Sequence, residues 1–457
     1  MQSLEGKLPG ESVFTLGRIK GVRKHKKRIF VDLIDYSGEV QLVVEKSKQP
    51  SEYELLCISN RGSYLSVGGI YGRDLLGNPE INVAGLEVIA EANLNIQSPF
   101  DFNGTDPSNG DKVFSFPEVY VSNPKRAAIL KIKTDFVMAL HEYFQKDGFT
   151  LVEPPIITDK KLYGEDNAVE AEVHGEKVFL SQCATFELEP LALAFGKVYT
   201  ISPAFRNEPS GSKRHLAEYT HAKAEALFAD ISDLKNLSGN LIYYAMKQVK
   251  ELDTRELGLL EVTLDIEGLK PENHKHISYN EALKITQGKG STTEWGEGLK
   301  RRDEIILTEH FGNEYVWVNF PPFCSEGFPY RRLPEDNRLS MTCDLIAPHG
   351  AGEMVGVAEK ITNAEELIKN LIEKGQKKNI RHYWNYIALR QQGLPPHGGM
   401  GAAPERILYG LLGLDHIRLT KPWPRYPDRK IVTPANNGLN TFGNEELERL
   451  VQKYDLK

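Results

Sequence analysis

From Ser12 to about Ile89, apolar and polar residues alternate in short runs broken by glycine and aspartate, the pattern of half-buried strands. Phe14–Leu16, Ile29–Leu33 and Val40–Val44 carry it most clearly. Residues 98–123 lose all periodicity and are rich in Pro, Gly, Asn and Asp, which predicts a linker. Ile129, Ile132, Phe136, Leu140 and Phe144 then recur at helical spacing, and Asp147-Gly148 stops that helix. Further on, a strand is expected to begin at Phe179-Leu180-Ser181-Gln182, and Lys197–Ile201 alternates as a strand should. A polar loop and a second mostly apolar run, Ala222–Phe228, complete a hairpin. Helices are expected over 235–257 and from Ile407 to Leu412, whereas 258–340 mixes short helices and strands in an order the pattern does not settle.

Composition sharpens this picture in two places. At 457 residues the chain has room for two or three domains with sizeable cores, and 40% hydrophobic with 26% charged residues describes an ordinary globular protein. Net charge is −7, so any nucleic-acid contact has to come from a local patch and not from the overall field. Lys20 to Arg28 is such a patch: Lys24, Lys26, Lys27 and Arg28 crowd one predicted hairpin tip, with Phe30 just beyond. The run fits a solvated tip. Set on a barrel of short strands, whose spacing suits an OB-fold, it fits a single-stranded RNA surface instead, with Phe30 free to stack on a base. Cys57, Cys183, Cys324 and Cys343 have no Cys-x-x-Cys spacing, which predicts reduced thiols in a cytoplasmic protein. No apolar run is long enough for a membrane span, and no signal peptide is expected at Met1.

The charged ends of the central hairpin carry the chemistry. Phe205-Arg206-Asn207-Glu208 closes its first strand, and Arg214-His215-Leu216-Ala217-Glu218-Tyr219 opens its second. Arginines fork onto phosphate oxygens, a carboxylate accepts from an exocyclic amine, and Tyr219 offers a ring for stacking. That set suits a nucleoside triphosphate; a salt-bridged surface hairpin needs the same charges. Asp344 and Glu353, on what read as neighbouring strand ends, make a hard-cation pair.

Phe-Arg-x-Glu, the loop and Arg-His-Leu-Ala-Glu-Tyr-Thr-His resemble motif 2 of the class II aminoacyl-tRNA synthetases, nearest the asparaginyl branch of the aspartyl, asparaginyl and lysyl group. Pro396 to Arg406, with its glycines, resembles motif 3; the helix around Phe136 and the strand to Pro154-Pro155 resemble motif 1, a dimer interface. The resemblance implies an α+β protein: an OB-fold β-barrel over 1–97, a linker over 98–123 and a catalytic domain over 124–430, an antiparallel β-sheet flanked by helices. Residues 431–457 form an extension without counterpart. It implies ATP and Mg²⁺, tRNA as partner, and a homodimer. Arg206, Glu208 and Arg406 would be catalytic; Arg214, His215, Tyr219 and Glu353 would complete the ATP site, and Asp344 with Glu353 would hold the metal. Gln182, Thr185, Lys223, Glu225 and Lys360 fall at substrate-pocket positions. Phe30, Gln41 and Glu80, beside Lys24, Lys26 and Arg28, fall where the family reads tRNA. A loop over 162–174 would close over the amino acid.

The substrate pocket departs from the family. Thr185 stands for a Gln, Lys223 for an acidic residue, Lys360 for an Arg and Val357 for a Gly. Arg to Lys gives up a planar fork, and acid to Lys reverses the local charge. Ala402-Ala403-Pro404 replaces Leu-Gly-Leu, stiffening a strand-to-helix junction, and Ile34 stands for an Arg. Three readings stay open: an asparaginyl-type ligase with a rebuilt pocket, a paralogue that adenylates another carboxylic acid for a different acceptor, and a non-catalytic RNA-binding protein.

Overall fold

The computed structural model describes residues 1, 4, 6–92, 121–159, 161, 167–208 and 212–425. Most of the expected linker, five residues of the loop expected over 162–174 and the extension after 430 lie outside them. Two compact units part between Pro124 and Lys125.

The first unit is a closed five-stranded barrel: β1 (Ser12–Lys24), β2 (Arg28–Ile34), β3 (Glu39–Glu45), β4 (Tyr64–Arg73) and β5 (Pro79–Ala90), in the order β1-β2-β3-β5-β4. β3 and β5 pair in parallel and the other neighbours are antiparallel. Alternation dictates the interior: Ile29, Val31, Leu33, Leu42, Val44, Leu65, Val67 and Ile81 are fully buried while most of their chain neighbours are more exposed, Val43 being a buried exception. One helix, α1 (Pro50–Ile58), packs Leu56 against that core.

The second unit opens with α2 (Pro124–Lys146), which buries the five apolar positions seen in the sequence and ends two residues before Gly148. It is built on an eight-stranded sheet. In chain order its strands are β6 (Thr150–Leu151), β10 (Lys197–Phe205), β11 (Glu218–Leu227), β12 (Lys275–Ser278), β13 (Val316–Asn319), β16 (Thr342–Ala347), β17 (Gly352–Glu359) and β18 (His397–Ala402). Across the sheet they run β12-β13-β16-β17-β18-β11-β10-β6. The two outermost pairs are parallel and all others antiparallel. β7 (Ile157–Thr158), β8 (Glu170–Val173) and β9 (Glu176–Leu180) form a small separate sheet, and β14 (Arg332–Leu333) with β15 (Asp336–Ser340) a ribbon.

Three expectations need correction. Phe179-Leu180 ends a strand instead of beginning one, because Ser181–Ala184 leads into α3 (Thr185–Phe195). The helix expected over 235–257 starts earlier, as α4 (Ile231–Leu252), because Asp230 and Asp233 form a capping box; it breaks at Asp253. The helix at 407 begins at Pro404, whose fixed φ suits a first helical turn, so Arg406 lies inside α6 (Pro404–Leu411); between them in sequence lies α5 (Arg301–His310).

Candidate functional site

Two adjoining cavities lie over the middle of the large sheet. The smaller, about 130 Å³, is lined by Arg206, Glu208, Arg214, His215, Tyr219 and Arg406, among others. All six came from the hairpin and the motif at 396–406. β10 and β11 pair from Lys197↔Ala226 to Phe205↔Glu218, so Arg206 and Tyr219 leave the same end of the hairpin. The Arg206 guanidinium sits 5.8 Å from the Tyr219 ring centroid and 3.5 Å from Glu208. Arg214 pairs with Glu304 of α5 at 2.7 Å and passes directly over Gly352. Gly352 has φ +81°, and a β-carbon there would stand 2.1 Å from the guanidinium, so only glycine fits. Arg406 donates to the Arg214 carbonyl at 3.0 Å. Burial, then the neighbouring Arg406, holds His215 below its ordinary pKa, so its ring stays neutral and bonds Ser212 at 2.7 Å. Cations around an aromatic ring and one carboxylate form a socket for a phosphorylated base.

The larger cavity holds about 540 Å³, within the ~300–1,000 Å³ common for small-molecule sites. It shares Arg206, Glu208, His221, Glu353 and Gly401 with the smaller one, so one ligand could occupy both. Its floor follows from register: Lys223 pairs with Gly401, Gly401 with Gly356, and Gly356 with Asp344. In the next row Glu225 pairs with Gly399 and Gly399 with Ala358. His221 and Glu225 lean over these glycines; a β-carbon at 401 would lie 2.8 Å from His221 Nε2, and one at 399 would lie 2.4 Å from Glu225 Oε2.

Asp344 and Glu353 converge as expected. One oxygen of each lies within 3.3 Å of where a Gly356 β-carbon would be. A bulge between Leu345 and Ile346 makes this possible by turning Glu353 onto the face that carries Asp344. Burial, then Glu353 and Glu326, pushes Asp344 well above the usual carboxylate range, and burial with Glu353 lifts Glu326 to about 7. Crowded carboxylates of this kind fit a hard cation. Among the described residues no group of three or more His, Cys, Asp and Glu side chains forms a metal cage, so such an ion would draw further ligands from phosphate and water, as Mg²⁺ commonly does.

The substrate positions separate into two sets. Lys223 and Lys360 line the larger cavity; Gln182, Thr185 and Glu225 are buried and do not line it. Thr185 opens α3 and bonds the Cys183 sulfur at 3.1 Å. Also buried, Glu189 takes hydrogen bonds from Arg390 and the Tyr386 hydroxyl, both at 2.5 Å, with His397 at 3.4 Å. Burial alone would raise the Glu189 pKa, but Arg390 and then His397 outweigh it and hold it down to about 2.

On the barrel, Gln41 and Glu80 lie on paired positions of β3 and β5 and bond each other at 2.9 Å. Arg23 joins them, donating to Gln41 at 2.7 Å and to both oxygens of Asp32. Phe30 packs edge-on to His25. Lys26 and Lys27 are exposed, whereas Lys24 donates to the Cys57 carbonyl and Arg28 pairs with Glu45. The basic tip is therefore partly neutralised by its own barrel.

Sequence reasoning missed Glu304, Glu326, Lys374 and Glu405. The first three come from outside the recognised motifs, and their only local signal was charge next to Gly, Pro or a helix start. Glu405 was quoted within the motif without a role. It is fully buried, bonding Lys133 at 2.6 Å, Lys421 at 3.0 Å and the Thr220 amide at 3.1 Å, and so ties α2, β11 and α6 together.

Comparison with known proteins bears on all of this. Residues 113–427 match the family model described as tRNA synthetases class II (D, K and N), and residues 13–89 match an OB-fold nucleic acid binding domain. An asparagine--tRNA ligase of Desulforamulus reducens is 32% identical over 423 residues, covering 92% of this chain and 96% of that protein. The crystal structure of an asparaginyl-tRNA synthetase from Pyrococcus horikoshii complexed with asparaginyl-adenylate superposes with a TM-score of 0.87 at 30% identity, covering 94% of this chain and 98% of the other. The Entamoeba histolytica asparaginyl-tRNA synthetase, also with asparaginyl-adenylate, gives 0.81 at 26%, covering 93% and 98%.

Proposed function

Because the chain belongs to the class II tRNA synthetases of the aspartyl, lysyl and asparaginyl group, we propose that it adenylates asparagine or a related acid with ATP and passes the acyl group to tRNA. The observation that carries this reading is the continuity of the two cavities through Arg206, Glu353 and Gly401. A nucleotide on the Tyr219 side would present its α-phosphate to an acid on the Lys223 side. In the first step a carboxylate oxygen bonds to the α-phosphorus and the bond to the β-phosphate oxygen breaks, releasing pyrophosphate. In the second, a terminal ribose hydroxyl of tRNA attacks the acyl carbon and AMP leaves.

No side chain needs to act as nucleophile, since the substrate carboxylate attacks; the protein aligns the reactants. Arg206 and Arg406 offset charge on the transferring phosphate, Glu208 accepts from the adenine amine, and Tyr219 stacks on the base. Arg214 and His215 reach toward the outer phosphates. Asp344 and Glu353 are the residues that would hold Mg²⁺, which would supply further neutralisation of phosphate charge.

We also assign the chain a homodimeric, cytoplasmic working state. The dimer is supported by Met138 of α2, Leu151 of β6, Ile156 and, in β7, Ile157, which leave apolar surface exposed along the motif 1 segment. No helix among the described residues is long and apolar enough to cross a membrane.

Arg206→Ala or Arg406→Ala is expected to lower acid-dependent ATP–pyrophosphate exchange at least 100-fold, about 3 kcal/mol of transition-state stabilisation, with little change in melting temperature. Exchange at the parental rate in either variant refutes the adenylation reading.

A further inference from the structure

The face of β11 that carries Tyr219, His221 and Lys223 acts as a ruler. Same-face neighbours on a strand are about 7 Å apart. Tyr219 lines only the smaller cavity, His221 lines both, and Lys223 lines only the larger. An acid activated beside Arg206 would therefore extend toward Lys223.

That inner wall is cationic. Lys223 is 6% exposed and Lys360 2%, and both face the cavity. Among the described residues, the Lys360 ammonium donates no hydrogen bond; it lies 4.9 Å from the centre of the Tyr330 ring. An ammonium brings three donors, and burying them unused is costly, so this one is kept for a ligand.

No carboxylate among the described residues hydrogen-bonds or ion-pairs with it. Those that line the cavity are Glu208, beside Arg206, and Glu326, Asp344 and Glu353, the last two over Gly356, two strands away from Lys223. Glu189 is taken by Arg390 and Tyr386. Glu225 is fully buried over Gly399 and forms neither a hydrogen bond nor an ion pair with Lys360 among the described residues. Burial raises the Glu225 pKa, with Lys360 pulling it back down.

We propose that the activated acid carries a second carboxylate, held by Lys223 and Lys360, and presents no ammonium group to that wall. The proposal rests on the adenylation reading above and narrows its substrate from a carboxamide to a dicarboxylic acid. Val357 and Ala358 line the same cavity.

Pyrophosphate exchange by the full chain, with succinate, aspartate and asparagine supplied separately, tests it. At least one of the two dicarboxylates is expected to support exchange with kcat/KM at least tenfold above asparagine. Lys223→Met and Lys360→Met, which keep side-chain length without charge, are each expected to erase that preference while binding ATP as the parent does. Lys223→Gln provides a polar alternative if the Met variant misfolds, and is expected to do the same. A preference for asparagine, or dicarboxylate exchange unchanged in all three variants, overturns the inference and leaves the adenylation reading standing. No exchange with any of the three acids overturns both.

Discussion

Position 399 has room for a hydrogen and nothing larger. A β-carbon there would lie 2.5 Å from the Ala224 carbonyl oxygen and 2.4 Å from Glu225 Oε2. The carbonyl belongs to a paired strand and cannot yield, so β18 would be pushed off β11. Gly399→Ala is expected to cost about 1–3 kcal/mol in urea unfolding, with lost exchange activity, because the same contact forms the cavity floor. An unaltered unfolding midpoint would mean that the floor is looser than these distances say.

Elements are joined here by buried charge. Glu189 links α3 to Arg390 of the helix Trp384–Gln391 and to His397 of β18. Its ordinary pKa of 4.5 falls to about 2 in the folded chain. A depressed carboxylate stabilises the fold fully above the unfolded value and loses that contribution as pH drops through the folded one. Stability should therefore decline between pH 4.5 and 2, by on the order of 3 kcal/mol from this group. Glu189→Gln should remove that part of the slope and also weaken the protein near pH 7, because Arg390 would remain buried without its partner. Circular dichroism across acid titrations of both proteins measures it; parallel curves would show that Glu189 does not carry the slope.

At the scale of the whole molecule, two units divide the work. The second has the cavities; the first offers Phe30, the Arg23–Asp32–Gln41–Glu80 network and the exposed Lys26 and Lys27. Filter binding of tRNA to the full chain should weaken steeply with salt, and neutralising Lys26 and Lys27 should flatten the slope. Phe30→Ala should lose roughly 1–3 kcal/mol of stacking at any one salt concentration. Since Lys24 and Arg28 already have partners in the barrel, replacing them should alter the slope less. Absence of affinity at low salt would exclude tRNA as the barrel's ligand.

The sequence by itself determined what depends on neighbours along the chain. Period-two alternation located the barrel strands and the central hairpin. Helical spacing located α2, and the order of charged motifs identified the socket around Arg206, Tyr219 and Arg406. It also exposed the anomaly of Lys223, a reversed charge, and of Lys360, a lost guanidinium fork, since a change of residue type is visible in one dimension. Only the tertiary structure decided which side chains meet. Lys223, Gly401, Gly356 and Asp344 share one row because three strand registers agree, and a bulge beyond Leu345 turns Glu353 toward Asp344. Thr185 and Glu225, both expected at substrate-pocket positions, are fully buried, Thr185 at the start of α3 and Glu225 over Gly399. Glu304 and Glu326 arrived from a segment whose pattern could not be ordered. Pairing between distant strands is paid in chain entropy and returned by contacts that no local window contains, which is why those convergences were not legible beforehand.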